Sequence, residues 1–168
     1  MAIVFPGGTQ SGPALDEVIQ VVTYTNSSTH QLSGHNYSFH TLNITPTSSS
    51  NYIIIMGHCN IGGFSTTGGL QIRRGSSLVS TLVGNQWGSN RQRMTGVIGN
   101  GNNAWQSCLG FSCLDNPNTT SQVGYNFRFG IHGAGTFYLG RSSNNTDDQN
   151  MDNATSLALT VRLLEVKP

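Results

Sequence analysis

The stretch Val123-Gly-Tyr-Asn-Phe-Arg-Phe-Gly-Ile131 decides the fold class, because its side chains alternate strictly in character. Every odd-numbered position is aliphatic or aromatic, and every even-numbered position is Gly, Asn or Arg. Successive side chains of an extended chain point to opposite faces, so a period of two predicts a β-strand with one buried face. The chain is therefore expected to build its core from strands.

The neighbouring segments extend this strand into a predicted antiparallel meander over Ser107 to Arg141. A second apolar run, Gly135-Thr-Phe-Tyr-Leu139, follows the connection His132-Gly-Ala134, which predicts a hairpin because Gly133 suits a tight turn. Upstream, Leu114-Asp-Asn-Pro-Asn-Thr-Thr120 predicts a turn, since Asx side chains cap turns and Pro cannot donate to a ladder.

Strand-like runs recur along the rest of the chain, with turn residues between them. They are Val18 to Thr25, Tyr37 to Thr45, Tyr52 to Met56, Leu70 to Arg74, Ser77 to Val83, Arg91 to Ile98 and Ser156 to Val166. Gly75-Ser76 predicts a two-residue hairpin, whereas Gly57 to Gly69 and Asn26 to Gly34 are predicted loops. This spacing predicts an all-β antiparallel sandwich of one domain, residues 16–168, after an extended N-terminal arm, residues 1–15.

Composition excludes several classes of function. The 168 residues carry one Lys, seven Arg and seven acidic side chains, for a net charge of +1, so the clustered cations of a nucleic-acid-binding protein are missing. The longest apolar run, Ile53 to Met56, is too short to insert into a membrane. Met1 to Gly8 lacks the features of a signal peptide, and the three cysteines are unevenly spaced. We expect free, buried thiols and synthesis in a reducing cytoplasm.

No sequence motif assembles a catalytic nucleophile, a phosphate loop or a cofactor site, so we predict neither enzymatic activity nor a cofactor. His30, His35 and His40 alternate faces within a strand, which argues against a metal site. The oxygen-rich segment Asn144 to Asn153 suits Ca²⁺ in ligand type, but it lacks the Gly and Glu of an EF-hand, so a solvated loop is favoured.

Three groups of residues are candidates for binding. The arm residues Ile3, Val4, Phe5 and Pro6 form an apolar patch that could anchor the chain to another protein by adding to a sheet edge. Tyr52, Ile53, Ile54, Ile55 and Met56 are apolar on both faces, which predicts that one face meets the core and the other meets a second layer or another subunit. Trp87 and Trp105 could stack on sugar rings, although capping the end of the core is the commoner role.

Several segments together resemble virion accessory proteins of marine tailed phages. The resemblance runs from about Gln20 onward. It rests on Ile44-Thr-Pro-Thr-Ser-Ser-Ser-Asn-Tyr-Ile-Ile-Ile-Met56, Leu70-Gln-Ile-Arg-Arg-Gly-Ser76, Leu114-Asp-Asn-Pro-Asn-Thr-Thr120, Gly135-Thr-Phe-Tyr-Leu139 and the terminal Leu-Leu-Glu-Val166. Proteins of that group are small jelly-roll domains of the fibre, knob or capsid-decoration kind, and they are usually trimeric.

The resemblance implies a trimeric virion accessory protein, and from it we predict a homotrimeric capsid decoration protein on the outer surface of the virion, with the major capsid protein or another virion protein as its partner. A chain of this length without internal repeats leaves no room for a fibre shaft, whereas a compact body with an arm fits a decoration protein. The alternative is a receptor-binding fibre or knob module that contacts host surface glycan through Trp87 or Trp105. A polysaccharide-degrading enzyme is a third reading, for which no pair of acidic residues can be named.

Overall fold

The protein is an all-β sandwich of two antiparallel sheets. The computed structural model describes residues 17–33, 37–63, 66–85, 92–100, 106–131, 136–142 and 158–168. The described strands are β1 (Glu17–Asn26), β2 (His30–Ser33), β3 (Tyr37–Ile44), β4 (Tyr52–Gly63), β5 (Thr66–Arg74), β6 (Gly96–Asn100), β7 (Gln106–Asp115), β8 (Val123–Ile131), β9 (Thr136–Leu139) and β10 (Leu159–Lys167).

The strand order is that of a jelly roll. The first sheet runs β1-β10-β4-β7, and the short strands β2 and β9 lie beside one another, with β9 joining the far end of β4. The second sheet runs β3-β8-β5-β6. From β3 to β6 and again from β7 to β9, the chain changes sheet at most connections, so neighbours in space are distant in sequence. This confirms the predicted all-β sandwich and its jelly-roll-like form.

The alternating pattern of β8 becomes the centre of the core. Tyr125, Phe127 and Phe129 are buried between the sheets, while β3 and β5 pair with β8 on its two sides. From the first sheet, Ile53 and Ile55 of β4 point at them and are fully buried. A strand with neighbours on both sides and one face on the core is the environment that strict alternation predicts.

The predicted hairpin after β8 is wrong. β8 belongs to the second sheet, whereas β9, which follows it, pairs with β2 and β4 in the first sheet. Turn residues such as Gly133 indicate that the chain changes direction, but they do not determine which strand the next segment pairs with. β8 already pairs with β3 on one side and β5 on the other, so β9 cannot pair with it. The connection itself, residues 132–135, lies outside the described part of the chain.

Two segments that were predicted to be loops contain strands. β4 continues through Gly57 to Gly63, and β5 begins at Thr66, so most of the glycine-rich segment is strand. Glycine is required at Gly57 because a Cβ there would overlap the carbonyl oxygen of Thr160 on β10. The predicted loop Asn26 to Gly34 contains β2.

The tight turn at Gly75 is present, but the strand predicted after it is not. Gly75 has a φ of 58°, and Arg74 and Ser77 exchange two backbone hydrogen bonds across the turn. Instead of continuing as a strand, the chain then turns again, with Leu82 N–H donating to Val79 O at 3.0 Å. Leu82 is buried against the core. The apolar residues of this segment therefore cover the core from a turn and not from a strand.

Candidate assembly face

The outward side of the first sheet carries a continuous apolar surface at the end where β1 begins. One row of cross-strand partners joins Val21 to Leu164, Leu164 to Ile54 and Ile54 to Leu114, and so crosses all four strands. A second row joins Val18 to Val166 and Val166 to Tyr52. With Met56 these side chains form what we call the apolar face: Val18, Val21, Tyr52, Ile54, Met56, Leu114, Leu164 and Val166.

The apolar face is distinct from the core. Val18 is 52% exposed, Val21 is 53% exposed and Met56 is 40% exposed. Val166 is only 3% exposed, yet it is not a member of the core cluster that lies between the sheets. Large apolar side chains that adjoin one another on a surface mark a contact with another macromolecule more often than isolated ones do.

Polar residues bound the apolar face on the same sheet. The next row joins Thr23, Arg162 and Met56, so Met56 lies at the margin of the apolar face beside a charged side chain, and the row after it joins Thr25, Thr160 and His58. The apolar surface is therefore confined to one end of the sheet. Such a boundary is expected of a binding surface with a polar rim.

The candidate residues Tyr52 to Met56 divide between the two sides of β4. Ile53 and Ile55 lie in the core and are fully buried, while Tyr52, Ile54 and Met56 lie on the apolar face. The expectation that β4 has one face on the core is therefore met, and its other face remains the candidate trimer interface. Sequence reasoning missed the contributions of β1, β7 and β10, because the row that connects them depends on strand register.

The outward side of the second sheet has the opposite character. Its cross-strand rows join Thr41, Asn126 and Arg73, and then Ser38, Arg128 and Gln71. The Asn126 amide donates to the hydroxyls of Ser38 and Thr41, at 2.8 Å each. The outward side chains of β3, β8 and β5 are therefore mainly polar, whereas Val97 of β6 is apolar and 57% exposed and Gln71 is covered.

A buried carboxylate, Glu165, lies directly beneath the apolar face. It is opposite Ile53 on the inward side of β10 and is 0% exposed. Its oxygens accept hydrogen bonds from Thr47 N–H at 2.7 Å, Thr47 Oγ1 at 2.8 Å, Asn51 Nδ2 at 2.6 Å and the Gln20 side-chain amide. Burial alone would raise the pKa of Glu165, but these hydrogen bonds outweigh it and hold the pKa below its ordinary value.

A second buried carboxylate, Asp115, lies on the other side of Ile53. It is 1% exposed and accepts a hydrogen bond from Tyr125 Oη at 2.8 Å and one from Thr81 Oγ1 at 3.2 Å. Arg74 Nη1 lies 3.6 Å from it. Burial, together with the charge and hydrogen bond of Asp115, raises the pKa of Tyr125 well above its usual range, so the phenol remains a donor.

These two carboxylates are tied into the fold rather than presented to a substrate. Each is closed to solvent, and each accepts hydrogen bonds from at least two different side chains. A general acid or base must reach its substrate directly or through one water. Glu165 and Asp115 do not have that access. Each acts as a structural carboxylate, or staple, whose hydrogen bonds connect different segments of the chain.

The apolar cavity between Tyr24, Phe111 and Phe127 has a volume of about 10 Å³, which holds no more than about one water molecule. No three His, Cys, Asp or Glu side chains of the described part converge as metal ligands. His40 stacks on Tyr24 at 3.7 Å, and His30 lies edge-on to Phe39.

The thiols are free, as expected, but they differ in exposure. Cys59 is fully buried, and burial, with a smaller contribution from Cys108, raises its pKa to about 12. Cys113 is half-buried. Cys108 is exposed on β7, so the expectation of three buried thiols is wrong at that position. Among the described strands, β7 pairs with β4 alone and so lies at the edge of its sheet.

Several candidate residues lie outside the described part of the chain. They are Ile3, Val4, Phe5 and Pro6 of the arm, Trp87 and Trp105, His35, and the segment Asn144 to Asn153. Within the described ranges, no helix has the length and apolar character needed to cross a membrane. Comparison of the sequence with models of known families finds no match, and comparison with curated proteins finds none either.

Proposed function

We propose that this protein is a non-enzymatic structural component of a phage virion, a homotrimeric decoration protein on the outer surface of the capsid. The observation that carries the proposal is the two-sided character of the sandwich, with the apolar face on one sheet and a polar surface on the other. A domain that buries one side against protein and turns the other to water is an assembly module. The sequence resemblance supplies the virion as the place of assembly.

The apolar face suits a contact between identical copies. Its eight side chains carry no charge, so bringing the same surface of several copies together creates no like-charge repulsion among them. Val18 and Val21 lie at the edge of the sheet, where another subunit can reach them, and Tyr52 supplies an aromatic anchor of the kind enriched in interfaces. A closed ring of three copies hides the apolar faces and leaves the polar sheets outside.

Attachment to the shell is assigned to the arm. An extended segment with Ile3, Val4 and Phe5 can add to a sheet edge of the major capsid protein through backbone hydrogen bonds, with its apolar side chains in pockets. A trimer carries three such arms, so the binding of one arm raises the effective concentration of the others at the shell. Trimers bound between capsomers then stabilise the assembled shell by mass action.

The test uses phage particles that lack the protein, to which purified protein is added back. Wild-type protein should bind, with subunits visible on the outer surface by electron microscopy. Deletion of Met1 to Gly12 should abolish binding while the trimer stays intact in sedimentation. Unimpaired binding of the truncated trimer would refute the role of the arm, and labelling on the tail instead of the shell would refute the placement.

The proposal also predicts the absence of glycan recognition. A glycan array should give no signal with the wild-type trimer. A signal that disappears in Trp87→Ala or Trp105→Ala would favour a receptor-binding module, and turnover of capsular polysaccharide by the purified protein would favour an enzyme.

A further inference from the structure

The strands at the sheet edges differ in how far they are protected from pairing with another chain. An edge strand exposes unpaired backbone donors and acceptors, and natural proteins limit the hazard with bulges, charges, proline or very short strands. Among the described edges, β1 has a register shift between Val18 and Gln20, and β3 has one between Ser38 and His40. β2 has four residues and β6 has five. Each of these four edges therefore has a protective feature.

Strand β7 has none of these features. It pairs with β4 over ten consecutive residues, from Gln106 to Asp115, without a register shift. It contains no proline, and its one charged side chain, Asp115, points inward and is buried. From Ser107 to Asp115, no backbone group of the described residues other than those of β4 hydrogen bonds to the β7 main chain. The result is a long, straight and uncharged edge.

We propose that β7 pairs antiparallel with β7 of a second copy across a two-fold axis, so that the first sheet continues through both molecules. This goes beyond the proposed trimer, because an edge contact uses backbone groups in the plane of the sheet, whereas the apolar face uses side chains perpendicular to it. The same copy can make both contacts, and the edge contact joins one trimer to its neighbour.

The side chains of β7 suit pairing with themselves. The outward positions are Cys108, Gly110, Ser112 and Leu114, and in a continuous sheet outward positions must meet outward positions. A two-fold axis at Phe111 sets Leu114 opposite Cys108, and Gly110 opposite Ser112. The larger side chain therefore meets a smaller one, and a Cβ placed at Gly110 would have no atom within 4 Å. No pair brings like charges together.

The experiment isolates the edge by first weakening the apolar face. Val18→Lys with Val21→Lys places two charges on that face at positions more than half exposed, so the core is untouched. In this background the protein should sediment as a concentration-dependent dimer. Cys108 can be labelled selectively with a nitroxide when Cys113→Ser is also present, because Cys59 is fully buried. In the proposed dimer Cys108 of one copy faces Leu114 of the other, so the two labelled residues lie six positions apart along the paired strands. The distance between the two labels should therefore be about 20 Å.

A matched pair of lysines tests whether the dimer uses β7. Ser112→Lys adds a charge to an exposed position of β7, and Thr25→Lys adds the same charge to an exposed position of β1 on the same sheet. Ser112→Lys should abolish the dimer and the short distance, and Thr25→Lys should leave both unchanged.

Two outcomes would overturn the edge contact. One is a protein that stays monomeric in the Val18→Lys/Val21→Lys background, and the other is an equal effect of the two single lysines. The result is separable from the proposed function, because wild-type protein that forms β7-linked dimers but no trimer would contradict the trimer and support the edge contact.

Discussion

Glu165 connects three parts of the chain through one carboxylate. Its partners are Gln20 on β1 and Thr47 and Asn51 in the connection between β3 and β4, and it belongs to β10. Because Leu164 and Val166 on either side of it point to the apolar face, the staple also fixes that face from beneath. A fully hydrogen-bonded buried group of this kind specifies one arrangement of its neighbours.

Replacing Glu165 by glutamine should lower the free energy of unfolding at neutral pH and make that free energy less dependent on pH in the acidic range. The amide nitrogen of Gln cannot accept the donors that now meet the carboxylate, and the loss should be about 2–4 kcal/mol in urea unfolding. Because the folded pKa of Glu165 lies below its unfolded value, its contribution is present above the unfolded pKa and is lost as the pH falls through the folded pKa. Wild-type protein should therefore lose more stability than Glu165→Gln on acidification below about pH 5.

Glu17→Gln is the control for this substitution, because Glu17 is exposed on β1. It should change the free energy of unfolding by less than about 0.5 kcal/mol. Parallel pH profiles for wild-type protein and Glu165→Gln would show that the carboxylate does not act in the way described.

The inward position of Glu165 could have been predicted from the sequence, but its partners could not. Leu159, Val161 and Leu163 alternate on one face, and one further step of two reaches Glu165. Strand periodicity thus places a charged residue in the core and requires that it be satisfied there. The donors come from residues more than a hundred positions earlier, and only the tertiary fold brings them to it.

At the scale of strands, alternation identifies elements well and their partners poorly. β1, β3, β8 and β10 were expected within a few residues of their observed bounds, because each buries one face. The hairpin between β8 and β9 was wrong, since a jelly roll pairs strands across sheets and local turn chemistry carries no information about that choice. The glycines from Gly57 to Gly69 were likewise predicted to form a loop, but in β4 they allow close packing of neighbouring strands.

Two glycines on neighbouring strands provide a matched test of that interpretation. At Gly57 an added methyl group would meet the Thr160 carbonyl and the ring of Phe111, so Gly57→Ala should destabilise the protein by about 1–3 kcal/mol. At Gly110 nothing lies within 4 Å of the added atom, so Gly110→Ala should be neutral or stabilising by up to about 1 kcal/mol. Urea unfolding of both variants measures the difference, and equal effects would contradict the close approach of β10 to β4.

At the scale of the whole molecule, the sequence identified one strand of the apolar face and missed the surface. Tyr52 to Met56 is apolar at every position, which is enough to predict two covered sides. The face becomes a surface only when Val21, Leu164, Ile54 and Leu114 fall into one row, and that register is set by four strands from different parts of the chain. Cross-strand register is a property of the assembled sheet, so no local pattern specifies it.

If copies associate through the apolar face, assembly and stability are linked by mass action. Unfolding of a trimer releases three chains, so its midpoint temperature must rise with protein concentration. With an unfolding enthalpy of about 0.7 kcal/mol per residue, the rise should be about 3 °C for each tenfold increase in concentration. Calorimetry of wild-type protein should show this dependence, and Thr25→Lys should match it because Thr25 lies in a polar row. Val18→Lys/Val21→Lys should have a lower midpoint and a weaker dependence, since trimers no longer form. A wild-type midpoint that does not change with concentration would show that the apolar face does not join copies of this chain.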